Sequence, residues 1–287
     1  MFKHRSDGKY VKNLDPIFKL GPYIMKKRSG AQVFYKEDIS VSPMNEYIAQ
    51  QAEKGIKLSY MAIVYATSIR ILSERSKLNR FIVNGITYQR NEIWLSLVAK
   101  KGMTADAEET VVKIPFKGTE TLFEISKILE DEFTKSKTAG NSNDTDKIAR
   151  ALAVMPHWLI KLTANALMLM DRYGVMPKAI IEASPFHASA FLTNSASIGI
   201  DAVYHHLYDF GTVGLFIAMG KRKKSHTYEN GTLAEDKCIS IAVVGDERIC
   251  DGLYFANSMK LFKKYMKKPH LLEQGFSKNE QERAVST

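Results

Sequence analysis

The segment Gly245–Gly252, GDERICDG, brings carboxylates, a guanidinium group and a thiol together in one short stretch. It follows the apolar run Cys238–Val244 and precedes a helical pattern over Leu253–Met266, so we expect it to connect a strand to a helix. Such groups can transfer protons or form ion pairs, and spacing alone does not choose between these roles. Cys250 is predicted to be a small buried residue.

Other familiar chemical signals are absent from the sequence. It has no glycine-rich phosphate loop, no GxGxxG, no HExxH and no nucleophile elbow. None of the seven histidines lies at zinc-ligand spacing from Cys238 or Cys250, so we expect no metal. His205 and His206 are adjacent, and we interpret them as partly exposed loop residues.

Around the Gly245–Gly252 segment the chain resembles the catalytic domain of 2-oxo acid dehydrogenase acyltransferases and chloramphenicol acetyltransferase. That family has a His-x-x-x-Asp-Gly motif between its last strand and last helix. Asp251 and Gly252 match the Asp-Gly, Arg248 matches the arginine that follows the histidine, and Glu247 replaces the histidine. A second block, 193–201, TNSASIGID, is similar to the family's Ser-Asn-Leu-Gly-x-x-Gly-Ile-Asp stretch.

The resemblance extends over residues 39–272 and includes Asn79-Arg80-Phe81 and Asn84-Gly85 upstream. It implies an α/β fold like that of chloramphenicol acetyltransferase, with a mixed sheet flanked by helices. No lipoyl-type domain or subunit-binding module is found in the sequence, so we expect a stand-alone member. The implied division is a basic N-terminal extension (1–38), an acyltransferase-like domain (39–274) and a polar tail (275–287).

In the resembling enzymes an acyl group moves between the thiol of coenzyme A and a thiol or hydroxyl acceptor. By this resemblance coenzyme A is the co-substrate, Thr193 donates a hydrogen bond to the oxyanion, and Glu247 stands in the place of the general base. Asp251 holds the loop through an ion pair. The remaining motif residues are Arg248, Gly252, Asn194 and Gly199. The resemblance also implies a homotrimer with catalytic groups from two chains.

The Glu247 substitution leaves the activity open. Proton transfer from a thiol (pKa about 8.5) is uphill by about 2 pKa units to an imidazole, but by about 4 to an unperturbed glutamate. One hypothesis is an active acyltransferase, in which burial raises the pKa of the Glu247 carboxyl or in which His205 or His206 substitutes as base. The second is a non-catalytic trimeric scaffold or coenzyme A-binding pseudoenzyme. The third, a nucleic-acid binder, has only the basic charge in its favour, and we expect no nucleic-acid or membrane partner.

Hydrophobic periodicity predicts the elements that position these residues. Helices are predicted over Ser59–Lys77, Thr121–Thr134, Asp146–Tyr173 and Leu253–Met266. Predicted strands are Ile93–Ala99, Thr110–Phe116, Val213–Met219 and Cys238–Val244, together with a hairpin over Phe81–Tyr88 turning at Asn84-Gly85. Lys221–Lys224 is interpreted as a basic turn and Lys135–Asp146 as an exposed loop.

Composition sets broader bounds. The chain has 287 residues, 45% hydrophobic and 25% charged, which argues against disorder. No uncharged run is long enough to span a bilayer, and the basic N-terminus lacks the apolar core of a signal peptide. Two cysteines favour the reducing cytoplasm. The net charge of +10 comes mainly from residues 1–36 and 217–270, and it suits an anionic ligand or a solvated surface.

Overall fold

The computed structural model describes residues 5–100, 109–137, 154–229 and 232–277. Within these ranges the strands are β1 (Gly8–Tyr10), β2 (Gln32–Ser40), β3 (Arg80–Val83), β4 (Ile86–Arg90), β5 (Ile93–Lys100), β6 (Glu109–Phe116), β7 (Ala190–Asn194), β8 (Leu215–Glu229) and β9 (Thr232–Asp246). The helices are α1 (Pro16–Ile24), α2 (Ser42–Glu53), α3 (Tyr60–Glu74), α4 (Leu122–Lys137), α5 (His157–Tyr173), α6 (Lys178–Ala183) and α7 (Gly252–Lys267).

A six-stranded sheet in the order β2-β9-β8-β7-β5-β6 forms the centre of the molecule. β7 runs parallel to both β5 and β8, and the other neighbouring pairs are antiparallel. The sheet is therefore mixed, and with helices packed on it the α/β prediction is confirmed. Strand β2 pairs along its whole length with β9, from Gln32 opposite Asp246 to Ser40 opposite Cys238.

The two faces of the sheet bury different clusters because successive side chains of a strand point to opposite sides. On one face Leu192, Ile217 and Val243 join the main core, to which α3, α4 and α7 contribute. The other face carries a smaller cluster that includes Phe191 and Phe216, whose rings stack at a centroid distance of 5.7 Å. Segment 200–212 packs over this second face.

Helix α3 and the β3–β4 hairpin follow local sequence signals. Ser59 caps α3, its hydroxyl accepting a hydrogen bond from the Ala62 amide at 3.1 Å, and nearly every residue of the helix is buried. At the hairpin turn Asn84 has φ +51° and Gly85 φ +78°, as a two-residue type I′ turn requires. Strand β1 extends the hairpin to a three-stranded sheet. These two predictions are confirmed.

Two predicted boundaries need correction. The basic turn at Lys221–Lys224 is wrong, because β8 continues through it after an irregularity between Met219 and Arg222. Helix α4 extends to Lys137, into the loop predicted from Lys135. The predicted helical stretch Asp146–Tyr173 is helical from His157, directly after Pro156, and its residues 146–153 lie outside the described residues. The rest of the predicted loop and most of the tail lie outside the described residues.

Residues 5–40 are built into the fold. The predicted boundary between residues 38 and 39 falls within β2, so residues 32–38 belong to the central sheet. Arg5 is buried and pairs with Asp7 and Asp171, each at 2.8 Å. Along the described part of the chain, every helix is too short or too polar to cross a bilayer.

Candidate functional site

The loop after β9 is held by a buried ion network. β9 ends at Asp246, a 3₁₀ turn covers Glu247–Ile249, and α7 begins at Gly252. The Asp246 carboxylate accepts hydrogen bonds from the Arg248 guanidinium through both oxygens, each at 2.7 Å, and from the Arg248 amide at 3.1 Å. Both side chains are at most 3% exposed. Arg248 therefore pairs with a residue two positions before it.

A second arginine and the N-terminal region complete this network. Arg28 is buried, with its Nε 3.6 Å from Asp246 Oδ2, and it donates to the carbonyls of Tyr208 and Gly211. Arg248 Nη1 donates to the Met25 carbonyl at 2.9 Å. One carboxylate thus joins the loop to the segment after α1, which limits the movement of the loop backbone.

Glu247 and Asp251 lie on the loop that this ion network holds. Glu247 is exposed, and its amide donates to the Ala31 carbonyl at 2.8 Å. Asp251 is also exposed and is the N-cap of α7, with Oδ1 accepting from the Tyr254 amide at 2.7 Å. The expectation that Asp251 holds the loop through an ion pair is thus corrected, because Asp246 makes that pair. A Cβ built on Gly252 meets no atom within 4 Å.

The second predicted block lies at the end of β7. Thr193 is half-buried and pairs with Ala218 of β8. Asn194 donates to the Met61 sulfur at 3.8 Å, while its buried Oδ1 has no hydrogen-bond partner. Gly199 ends the following 3₁₀ turn with φ +78°, a left-handed conformation that favours glycine.

One chain does not bring these two blocks together. Thr193 is level with Ala218 and Ala242, four residues before Asp246, and two strand spacings separate β7 from β9. With about 3.3 Å per residue and 4.8 Å per strand, the Cα atoms of Thr193 and Asp246 lie about 16 Å apart. Thr193 and Glu247 therefore occupy opposite ends of the sheet, too far apart to act on one bond within a single chain.

Comparison with known proteins identifies this arrangement. No family model matches the sequence, and no curated protein does. Among solved structures, the cubic core of the pyruvate dehydrogenase multienzyme complex has a TM-score of 0.60 at 10% identity, covering 92% of this chain and 94% of that one. Azotobacter vinelandii dihydrolipoamide acetyltransferase gives 0.59 at 12% over the same shares, and a chloramphenicol acetyltransferase 0.50 at 10% over 90% and 99%.

The chain has the chloramphenicol acetyltransferase-like fold. The structural likeness thus confirms the fold that the resemblance implied. In this fold the Thr193 end of the sheet also carries the basic run 221–224. Asn194 pairs with Met219, two residues before Lys221, so the run begins beside the end of β7.

The four basic residues of the run have different surroundings. Lys223 pairs with Asp38 at 3.0 Å and with Asp201 at 3.1 Å, and Lys224 pairs with Glu235 at 2.9 Å. Lys221 and Arg222 are exposed, and the Arg222 guanidinium lies 5.9 Å from the ring centroid of Tyr60. Two exposed cations, one of them beside a half-buried aromatic ring, therefore lie just beyond the end of β7.

The histidine pair and the cysteines have structural surroundings. The prediction of a loop for His205 and His206 is confirmed, and the His205 ring stacks on Phe216 at 4.1 Å. Cys250 is buried as predicted, and burial raises the pKa of its thiol to about 12, so it stays protonated. Cys238 is also buried and free. Within the described residues no group of three His, Cys, Asp or Glu side chains is placed to hold a metal ion.

Sequence reasoning missed Arg28 and Asp246 as the residues that hold the loop. A local signal existed for Asp246, because it stands two positions before Arg248 and the long arginine side chain can reach back to its carboxylate. Arg28 had no such signal, since it meets Asp246 only through the pairing of β2 with β9.

Proposed function

We propose that this protein binds a coenzyme A thioester and transfers its acyl group to a thiol or hydroxyl acceptor, in sites formed between subunits of a homotrimer. The observation that carries the proposal is the placement of Thr193 and Glu247 at opposite ends of one sheet in an acetyltransferase fold. Two half-sites that cannot meet within a chain are what a site shared between two copies requires. Dihydrolipoamide and chloramphenicol acetyltransferases, which share the fold, both transfer acyl groups.

The proposed reaction uses one residue from each end of the sheet. The acceptor gives its proton to Glu247 of one subunit and attacks the thioester carbonyl. The Thr193 hydroxyl of the neighbouring subunit donates a hydrogen bond to the oxyanion of the tetrahedral intermediate. The intermediate collapses, the carbon–sulfur bond breaks, and the coenzyme A sulfur leaves with the proton that Glu247 returns. Asp246 and Arg248 keep Glu247 in place, and Asp251 anchors the start of α7.

Lys221, Arg222 and Tyr60 are the proposed contacts for the nucleotide part of coenzyme A. The two cations can pair with its phosphates, and the tyrosine ring, already beside Arg222, offers a stacking surface. Lys223 and Lys224 are less suited to this role because carboxylates of the same chain already neutralise them. Part of the positive charge of the chain thus has a specific use.

Exposed apolar side chains support self-association. Helix α1 presents Ile17, Leu20, Tyr23 and Ile24, which are 56–77% exposed in the single chain. On the edge strand β2, Phe34 is 53% exposed and packs edge-to-face against the ring of Tyr204. Apolar surface of this kind commonly marks a protein interface, and a second copy of the chain would cover it in a trimer.

The proposal is tested by measuring coenzyme A binding and turnover on the same preparation. Calorimetry should detect coenzyme A binding, and acetyl-CoA with a panel of thiol and alcohol acceptors should release free coenzyme A. Glu247→Gln, which keeps size and loop contacts, should abolish release but not binding. Release that persists in Glu247→Gln would exclude Glu247 as base, and an absence of binding would refute the whole proposal.

A second candidate is coenzyme A binding without turnover. It is favoured by the exposure of Glu247, because any desolvation of its carboxylate has to come from a neighbouring subunit. Binding without release of free coenzyme A, with the trimer intact by sedimentation, would support this pseudoenzyme. A cytoplasmic location, favoured by two free cysteines, is part of either proposal.

A further inference from the structure

A cavity of about 190 Å³ lies between the N-terminal segment, the start of β5, strand β6 and helix α6. Lys113 of β6 lines it, half-buried, with Nζ donating to the Ile181 carbonyl at 2.6 Å. The same nitrogen lies 4.7 Å from the ring centroid of Trp94, which forms an apolar wall. The Lys113 amine is therefore anchored beside an open volume rather than extended into solvent.

The surroundings of Lys113 favour its uncharged form. Burial and, to a smaller extent, the nearby positive charge of Arg90 together lower the pKa of the ammonium group to about 7. Near neutral pH about half of the Lys113 side chains therefore carry a free lone pair, whereas an exposed lysine with a pKa of about 10.4 is almost wholly protonated. Desolvated lysines of this kind act as nucleophiles towards carbonyl groups.

The charges around the cavity indicate which electrophile it accepts. The charged and titratable groups that face Lys113 are Asp7, Arg90, Glu92, Lys178, Glu182 and His187. Asp7 pairs with Arg5 and Arg90, and Glu182 pairs with Lys178, so Glu92 is the carboxylate whose charge disfavours an anionic ligand or product and stabilises a protonated imine. A water molecule takes about 30 Å³ in the liquid, so the cavity has room for a molecule of a few heavy atoms.

We propose that Lys113 forms an imine with a small uncharged aldehyde in this cavity. The Nζ lone pair attacks the carbonyl carbon, and the carbonyl oxygen takes up a proton to give a carbinolamine. Loss of that oxygen as water leaves the carbon–nitrogen double bond, so amine and aldehyde yield imine and water. Glu92 and Glu182, which line the cavity, are placed to pass protons in these two steps.

Reductive trapping compares two lysines within one chain. The full-length protein is incubated with acetaldehyde and cyanoborohydride at pH 7, and the secondary amines formed are located by peptide mass spectrometry. Lys178 is the matched control, because it lines the same cavity but its side chain is 70% exposed. We expect Lys113 to be labelled at least about tenfold faster than Lys178, with a rate that is half-maximal near pH 7.

Three outcomes would overturn the inference. Labelling of Lys113 no faster than Lys178 would refute a reactive amine, and this comparison needs no variant. Persistence of the fast adduct in Lys113→Arg would place it at another residue. Glyoxylate labelling Lys113 as efficiently as acetaldehyde, relative to their ratio at Lys178, would refute the preference for an uncharged ligand. A quenched Trp94 emission in the trapped adduct is the expected spectroscopic sign, since the ring lies against the amine.

Discussion

The two ends of the central sheet are built in opposite ways. At the β9 end, Asp246, Arg248 and Arg28 form a buried ion network beneath an exposed Glu247. At the β7 end, Thr193 is half-buried and Lys221 and Arg222 lie open to solvent. At one end the ion network holds the loop that carries Glu247, and at the other end positive charges are exposed. The difference supports the proposal that one end positions Glu247 and the other binds coenzyme A.

Removing the carboxylate of the buried ion network should have the largest effect on stability. Asp246→Ala leaves Arg28 and Arg248 buried without their carboxylate, and breaking a buried pair in this way costs about 3–5 kcal/mol. Urea denaturation measures the loss in the free energy of unfolding. Glu247→Ala, at the neighbouring exposed position, should change it by less than about 0.5 kcal/mol. Equal losses for the two variants would mean that the network does not stabilise the loop.

The second largest effect is expected from a stronger base at position 247. Glu247→His should raise coenzyme A release by about hundredfold or more, because an imidazole with a pKa of about 6.5 accepts a thiol proton more readily than a carboxylate. The neutral imidazole is the active form, so the rate should rise with pH through about 6.5. A stopped assay for free coenzyme A at several pH values measures this. An unchanged rate would favour the pseudoenzyme.

At the recognition end, charge reversal tests ligand binding. Lys221→Glu and Arg222→Glu should each weaken coenzyme A binding by about tenfold, or about 1.4 kcal/mol. The loss should shrink at high salt, which screens exposed charges. Lys224→Glu is the control, since it lies on the same strand but already pairs with Glu235. Calorimetry that shows the same weakening for all three would indicate only a general field of positive charge.

The smallest effect is expected at the start of α7, the helix that follows the loop. Asp251→Ala removes the N-cap of α7 and should lower the free energy of unfolding by about 1 kcal/mol. Asp251→Asn retains a capping oxygen and should recover most of that loss. Thermal unfolding of the three proteins measures the series. A loss in Asp251→Asn as large as in Asp251→Ala would show that the charge, rather than the cap, is what matters.

Local patterns in the sequence predicted local structure well. The Asn84-Gly85 hairpin and helix α3 depend on neighbouring residues, and both were predictable. The fold as a whole was predicted from a resemblance that rests on the blocks Gly245–Gly252 and 193–201 and on residues of the upstream hairpin. The turn predicted at Lys221–Lys224 is wrong, because four consecutive charged residues favoured an exposed turn over a strand. Its strand is stabilised by carboxylates distant in sequence, such as Asp38 for Lys223.

The candidate site was predictable in its residue types but not in its geometry. Spacing could not show that the Cα atoms of Thr193 and Asp246, the residue before Glu247, lie about 16 Å apart, because that distance depends on strand order and register. The Lys113 cavity had no motif either. It arises where β6, α6 and the N-terminal segment meet, and desolvation of a lysine leaves no mark in composition.

The pairing of β2 with β9 has a consequence for biosynthesis. Gln32 finds its partner in Asp246 and Ser40 in Cys238, so β2 waits for a strand that follows about 200 residues later. While the polypeptide is still being translated, β2 has no β9 to join, and its core residue Ile39 remains uncovered. Long-range pairing of this kind slows folding and exposes the nascent chain to aggregation. The central sheet is therefore completed only after β9 has left the ribosome.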